Sequence, residues 1–136
     1  MISMTVDISQ LKGIENAIHE DIWHKIEKEV ANNIIKLIKQ KTSQGIDYLG
    51  DTFKPYTKSY ANYRHKKGLQ SNSVDLKFTG KMLNGIFYNE GDSAIEFTTD
   101  RIDIAYYVNN KRQFFAVELM ILNAIIDNAV KLILGA

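Results

Sequence analysis

The residues able to do chemistry in this chain are few. It has three histidines, His19, His24 and His65, and no cysteine. The missing cysteines remove disulfides, thiolate zinc sites and cysteine nucleophiles together. His19 and His24 fall five apart in a helical pattern, about 140° apart around the axis, so they do not share a metal. Asp47 and Asp51 flank Tyr48-Leu49-Gly50, a spacing that raises the question of calcium. An EF-hand loop needs further oxygen ligands and a closing glutamate, and these are missing, so the pair reads as solvated turn acids. No HExxH, GxSxG or Walker sequence occurs. No catalytic residue, metal or cofactor is expected, and the chain does not read as an enzyme.

The segment GDTFKPYTKSYANYRHKKG, Gly50 to Gly68, is the distinctive one. It holds four aromatic rings (Phe53, Tyr56, Tyr60, Tyr63), five cations (Lys54, Lys58, Arg64, Lys66, Lys67), His65 and the single proline, Pro55. Rings stack on bases and cations neutralise phosphates, so these residues suit a nucleic-acid surface. They equally suit a loop docking onto a partner protein. Residues 54–81 carry seven Lys/Arg against one acid, Asp75, a balance of +6, whereas the rest of the chain carries −5. A near-neutral body with one basic segment differs from a dedicated DNA-binding module, which is usually basic throughout.

The elements that must hold this segment follow from periodicity. The 136 residues suit one domain, and 45% hydrophobic with 24% charged residues is ordinary globular composition. The opening MISMTVDISQ lacks a basic start followed by an apolar core, so no secretory signal is expected. Ile2, Met4, Val6 and Ile8 alternate with polar residues as a short strand does, and Lys12-Gly13 turns the chain. Ile14, Ile18, Ile22, Ile26, Val30, Ile34 and Ile38 then recur every four residues, predicting a long helix capped at Asn16 and stopped at Gly45. A repeat of four overshoots the helical turn by about 40° per step, so the stripe winds. Its two ends are expected to bury against different things, one of them the domain's own sheet and the other a neighbouring subunit.

Tyr56, Tyr60 and Tyr63 are spaced to line one side of a short helix capped by Thr57 and ended at Gly68. Residues 69–73 read as a loop, and Thr79-Gly80 as a turn feeding a strand. Ile86-Phe87-Tyr88, Ala94 to Thr98 and Ile102 to Ala105 predict a three-stranded antiparallel meander, followed by a loop at Asn109-Asn110-Lys111. Phe114 to Leu134 is almost wholly apolar. Asp127 and Lys131 would each cost roughly 3 kcal/mol near a bilayer centre, so a core helix is expected there rather than a membrane span. The fold class is therefore α+β. A long N-terminal helix and a C-terminal helix pack on a small antiparallel sheet, made of the meander and the N-terminal strand. The basic segment, about 46–81, projects as an extended loop or short helix.

Several of these stretches occur in a familiar order. Gly45-Ile46-Asp47-Tyr48-Leu49-Gly50 leads to Phe53-Lys54-Pro55-Tyr56, a basic run ends at Lys66-Lys67-Gly68, and Asp75 to Leu83 contains Thr79-Gly80. Ala105-Tyr106-Tyr107 and Arg112-Gln113-Phe114-Phe115 come last. This order resembles the tailed-phage virion-morphogenesis (tail-completion) family, related to the head–tail joining proteins of the phage neck. Lys111 stands where that family usually has a proline, and the loop before Arg112 is short.

The resemblance implies a non-enzymatic structural protein that forms an oligomeric ring at the head–tail junction or tail end during virion assembly. It would be found in the virion, and in the host cytoplasm while assembly proceeds. Its partners would be further copies of itself and other neck or tail proteins, with no membrane. The subunit or partner interface would include Phe53, Pro55, Tyr56, Tyr60, Tyr63, Arg64, Lys66, Lys67, Thr79, Gly80, Leu83, Arg112, Phe114 and Phe115. Lys54, Lys58, Arg64, Lys66 and Lys67 would face passing DNA. The alternative is a small nucleic-acid-binding protein using residues 53–68.

Overall fold

The alternating stretches form a sheet whose centre is the strand with the most apolar inward face. In the computed structural model, which describes residues 3–9, 20–72, 74–76, 80–91 and 94–135, that strand is β3 (Ala94–Thr99). It pairs antiparallel with β1 (Met4–Asp7) on one side and β2 (Ile86–Glu90) on the other, giving the order β1-β3-β2. Val6 lies opposite Ile95, Met4 and Tyr88 opposite Phe97, and Ile86 opposite Thr99. Val6, Ile86, Ile95 and Phe97 are buried while Thr5, Phe87 and Glu96 are exposed, as the two-residue period of a strand requires.

The long helix α1 (Glu20–Ser43) packs against β2 of this sheet. Trp23, Ile26, Val30, Ala31, Ile34 and Ile38 are buried along it. Glu20 and Asp21 lie in its first turn and Lys41 in its last, each suited to the helix dipole. It ends as expected at Gly45, whose φ of +74° lets the Ile46 N–H reach back to the Lys41 carbonyl at 3.1 Å. The basic segment contributes α2 (Lys58–Lys66), and α3 (Lys81–Asn84) is a single turn before β2. α4 (Ile102–Lys111) packs on β3, and α5 (Leu119–Leu134) buries Leu122, Ile126 and Ala129 as one face and packs on α1. The architecture is α+β.

Three expectations need correction. The third meander strand does not exist: Ile102 to Ala105 opens helix α4, and the third strand of the sheet is β1. The place beside β3 where a third meander strand would pair is taken by β1, and a helix satisfies its own backbone instead. Asn109 to Lys111 accordingly closes α4 rather than forming a loop. The apolar run from Phe114 is not helical throughout. Phe114 and Phe115 form a buried edge-to-face pair, centroids 5.8 Å apart, before α5 begins.

Within the described part of the winding stripe, Trp23 and Ile38 are buried, and α1 packs on α5 and β2 of the same subunit. Ile2, Lys12, Gly13, Ile14, the Asn16 cap, Ile18, His19 and Thr79 lie outside the described residues.

Candidate functional site: the basic tyrosine segment

The segment is entered through a loop braced by its own acid. Asp47 Oδ1 accepts from the N–H groups of Leu49 and Asp51, both at 2.9 Å, and Lys41 Nζ donates to the Tyr48 carbonyl at 2.7 Å. Asp47 is thus occupied in an Asx turn, a structural use of the acid. Phe53 is buried and anchors the chain beyond it. Arg112, arriving after α4, clamps the next stretch. Its Nε donates to the Lys54 carbonyl at 2.9 Å and its Nη2 to that of Pro55 at 3.2 Å.

α2 forms where its caps are strongest. Thr57 Oγ1 accepts from the Tyr60 N–H at 3.3 Å, and Gly68 at φ +74° lets the Leu69 N–H bond the Arg64 carbonyl at 2.9 Å. The three tyrosines line one side, with Tyr56–Tyr60 centroids 5.1 Å apart and Tyr60–Tyr63 6.2 Å apart. Tyr56 lies half-buried between the Arg64 and Arg112 guanidiniums, 4.8 Å and 5.4 Å from its ring. Burial pushes its phenol above the ordinary tyrosine value. Tyr60 and Tyr63 stand exposed, with Lys67 Nζ 5.6 Å over the Tyr63 ring. Lys54, Lys58, His65 and Lys66 are exposed around them. Two open rings bordered by four lysines can stack on a flat partner and meet negative charge.

Arg64 takes no part in that surface. It is 2% exposed, with Nε donating to the Gln70 carbonyl at 2.9 Å and Nη2 to Asp75 Oδ1 at 3.3 Å. The expectation that it faces DNA or a partner is therefore corrected. Its planar fork is needed inside, tying α2 to the loop that follows. Phe53, Leu83, Phe114 and Phe115 are likewise core residues, and Gly80 is buried at φ +82° at the start of α3. Of the interface residues the resemblance implied, Pro55, Tyr60, Tyr63, Lys66 and Lys67 are exposed, and Tyr56 and Arg112 are half-buried.

Two further features lie outside the basic segment. Helix α4 and the ends of α5 leave Tyr106, Tyr107, Leu119, Met120 and Leu132 in solvent, with Met120 78% exposed and Leu119 and Leu132 69%. The near-continuous apolarity of residues 114–134 was the available signal. The second is an ionic cluster where α1 meets β2. His24 Nδ1 lies 2.8 Å from Glu90 Oε2 and 3.7 Å from Glu27 Oε1, while Nε2 lies 3.4 Å from Glu20 Oε1. These are the contacts of an imidazole shared between carboxylates. Its members stand 66 residues apart in sequence, which hid them.

A cleft of about 240 Å³ is lined by Lys39, Thr42, Ser43, Asp75, Gly80, Leu83 and Asn84, and its acid, Asp75, is bound to Arg64. Among the described residues no helix is long and apolar enough to cross a membrane. The chain matches no family model, no curated protein and no solved structure at a significant level.

Proposed function

We propose that this chain is a structural, non-enzymatic subunit of the phage head–tail junction or tail end, and that it assembles with copies of itself into a ring. The observation that carries the reading is the exposure of Tyr106, Tyr107, Leu119, Met120 and Leu132 on α4 and α5. Single exposed apolar residues are ordinary, but five large ones on two consecutive helices are a surplus that an assembly contact would cover. A ring subunit needs two different, complementary faces. The tyrosine–lysine side of α2 offers a second, chemically distinct one, with exposed rings of the kind enriched at interfaces. The ordered motifs from Gly45 to Phe115 supply the link to phage necks and tails, as a resemblance.

Sedimentation velocity at micromolar concentration tests this reading. A discrete multi-subunit species is expected, and substituting Met120 and Leu132 by glutamate should return it to monomer. A strict monomer that also fails to join purified connector or tail-tube proteins would overturn it.

A second reading, a single-strand nucleic-acid surface, draws on the Tyr60–Tyr63 pair and Lys67, since base–aromatic stacking is sequence-tolerant. It predicts binding of an oligonucleotide that weakens steeply with salt. Replacing Tyr60, Tyr63, Lys66 and Lys67 by alanine should abolish that binding. Unchanged affinity would reject it.

A further inference from the structure

The ionic cluster between α1 and β2 has no part in the assembly reading and rests on separate observations. Glu27 is 2% exposed, so its carboxylate sits out of water, where an unbalanced charge is costly. His24 is placed to supply positive charge. Its Nδ1 faces Glu27 Oε1 on its own helix and Glu90 Oε2 on β2. β2 is an edge strand, bonded to the sheet through β3 on one side, and the His24–Glu90 contact links it to α1 by a polar bond. We propose that His24, held between buried Glu27 and Glu90, is a proton-operated clasp that fastens the β2 edge strand to α1 and loosens when the imidazole deprotonates.

The groups facing the imidazole set the sign. Among the described residues these are Glu20 and Glu27 from α1 and Glu90 from β2. The Tyr88 phenol lies near the same carboxylates, and burial, with the charges of Glu90 and Glu27, holds it above the ordinary tyrosine value. Partial burial pulls the His24 value down. The Glu20 hydrogen bond, the charge and hydrogen bond of Glu90 and the charge of Glu27 outweigh that, leaving it above the ordinary histidine value. A basic group raised in the folded state stabilises that state fully below its unfolded value and loses the contribution as pH rises through the folded one. The clasp is thus closed below the ordinary histidine value and opens as pH rises through the raised folded one, when three carboxylates are left around a neutral ring.

The test combines two readouts on the full chain. Imidazole NMR should place the His24 midpoint above about 6.5, the ordinary histidine value, and Glu90→Gln should lower it. Hydrogen exchange of the β2 amides, corrected for the intrinsic rate, should quicken several-fold between pH 5.5 and 8.5. The same amides should be pH-independent in His24→Gln, which keeps a neutral donor and removes the titration. Glu27→Gln, which is close in shape and leaves His24 in place, should shrink the pH step. A His24 midpoint at or below the ordinary value would overturn the clasp. So would β2 exchange that changes equally with pH in wild type and His24→Gln.

Discussion

Replacing Arg64 by alanine separates the two roles that a cation in the basic segment can have. At 2% exposure, and paired with an Asp75 side chain that is 21% exposed, the guanidinium is held where solvent does little to screen it. Removing one partner of such a pair costs about 3–5 kcal/mol, because the remaining charge stays buried. Within that loss fall the bond to the carbonyl of exposed Gln70, worth about 0.5–1.5 kcal/mol, and the stacking on Tyr56, worth about 0.5–2 kcal/mol. These parts overlap and are not summed.

For a domain of this size a loss of 3–5 kcal/mol lowers the melting temperature by roughly 10–20 °C. Urea unfolding followed by far-UV circular dichroism measures it, with an unchanged slope indicating a loss of stability alone. Arg64→Lys should recover little, since an ammonium cannot serve the Gln70 carbonyl, Asp75 and the Tyr56 face with one planar group. Lys67→Ala, at an exposed position, should shift stability by less than about 0.5 kcal/mol. An Arg64→Ala protein as stable as wild type would refute the assignment of Arg64 to the interior.

Three further outcomes are expected. Ile34→Ala, at a fully buried position in the middle of α1, should cost about 2–5 kcal/mol by the same urea assay, the range for truncating a core aliphatic. The Lys111 hydrogen bond at 2.8 Å, together with the ammonium's charge, holds the Tyr107 phenol below the ordinary tyrosine value. Ultraviolet titration should therefore find one early tyrosine that reverts in Lys111→Met, and an unchanged titration would remove that contact from the account. Arg112→Ala should free the Lys54 and Pro55 carbonyls and loosen residues 53–57, seen as faster exchange of the Tyr56 amide with little change in global stability.

What could be read in advance was whatever rests on local periodicity. The inward residues of β1, β2 and β3, the buried stripe of α1, the Thr57 and Gly68 ends of α2 and the Gly45 stop all follow from spacing and caps, which neighbours in sequence decide. The α4 error shows the limit. Ile102-Asp103-Ile104-Ala105 alternates well enough for a strand, but β1 already holds the place beside β3 that the meander would have used, and that is a fact of topology. Arg64 was misplaced for a similar reason. A cation in a basic run resembles its neighbours until Gln70 and Asp75 fold back over it. The His24–Glu27–Glu90 cluster needed a pairing across 66 residues of chain, which no local pattern encodes.

Self-association tests the central claim most directly. Sedimentation of the purified chain at micromolar concentration, alone and with connector or tail-tube proteins, should give a defined ring-sized species. Glutamate at positions 120 and 132 should dissolve that species while circular dichroism stays native. A wild-type chain that remains monomeric under every one of these conditions would contradict the account.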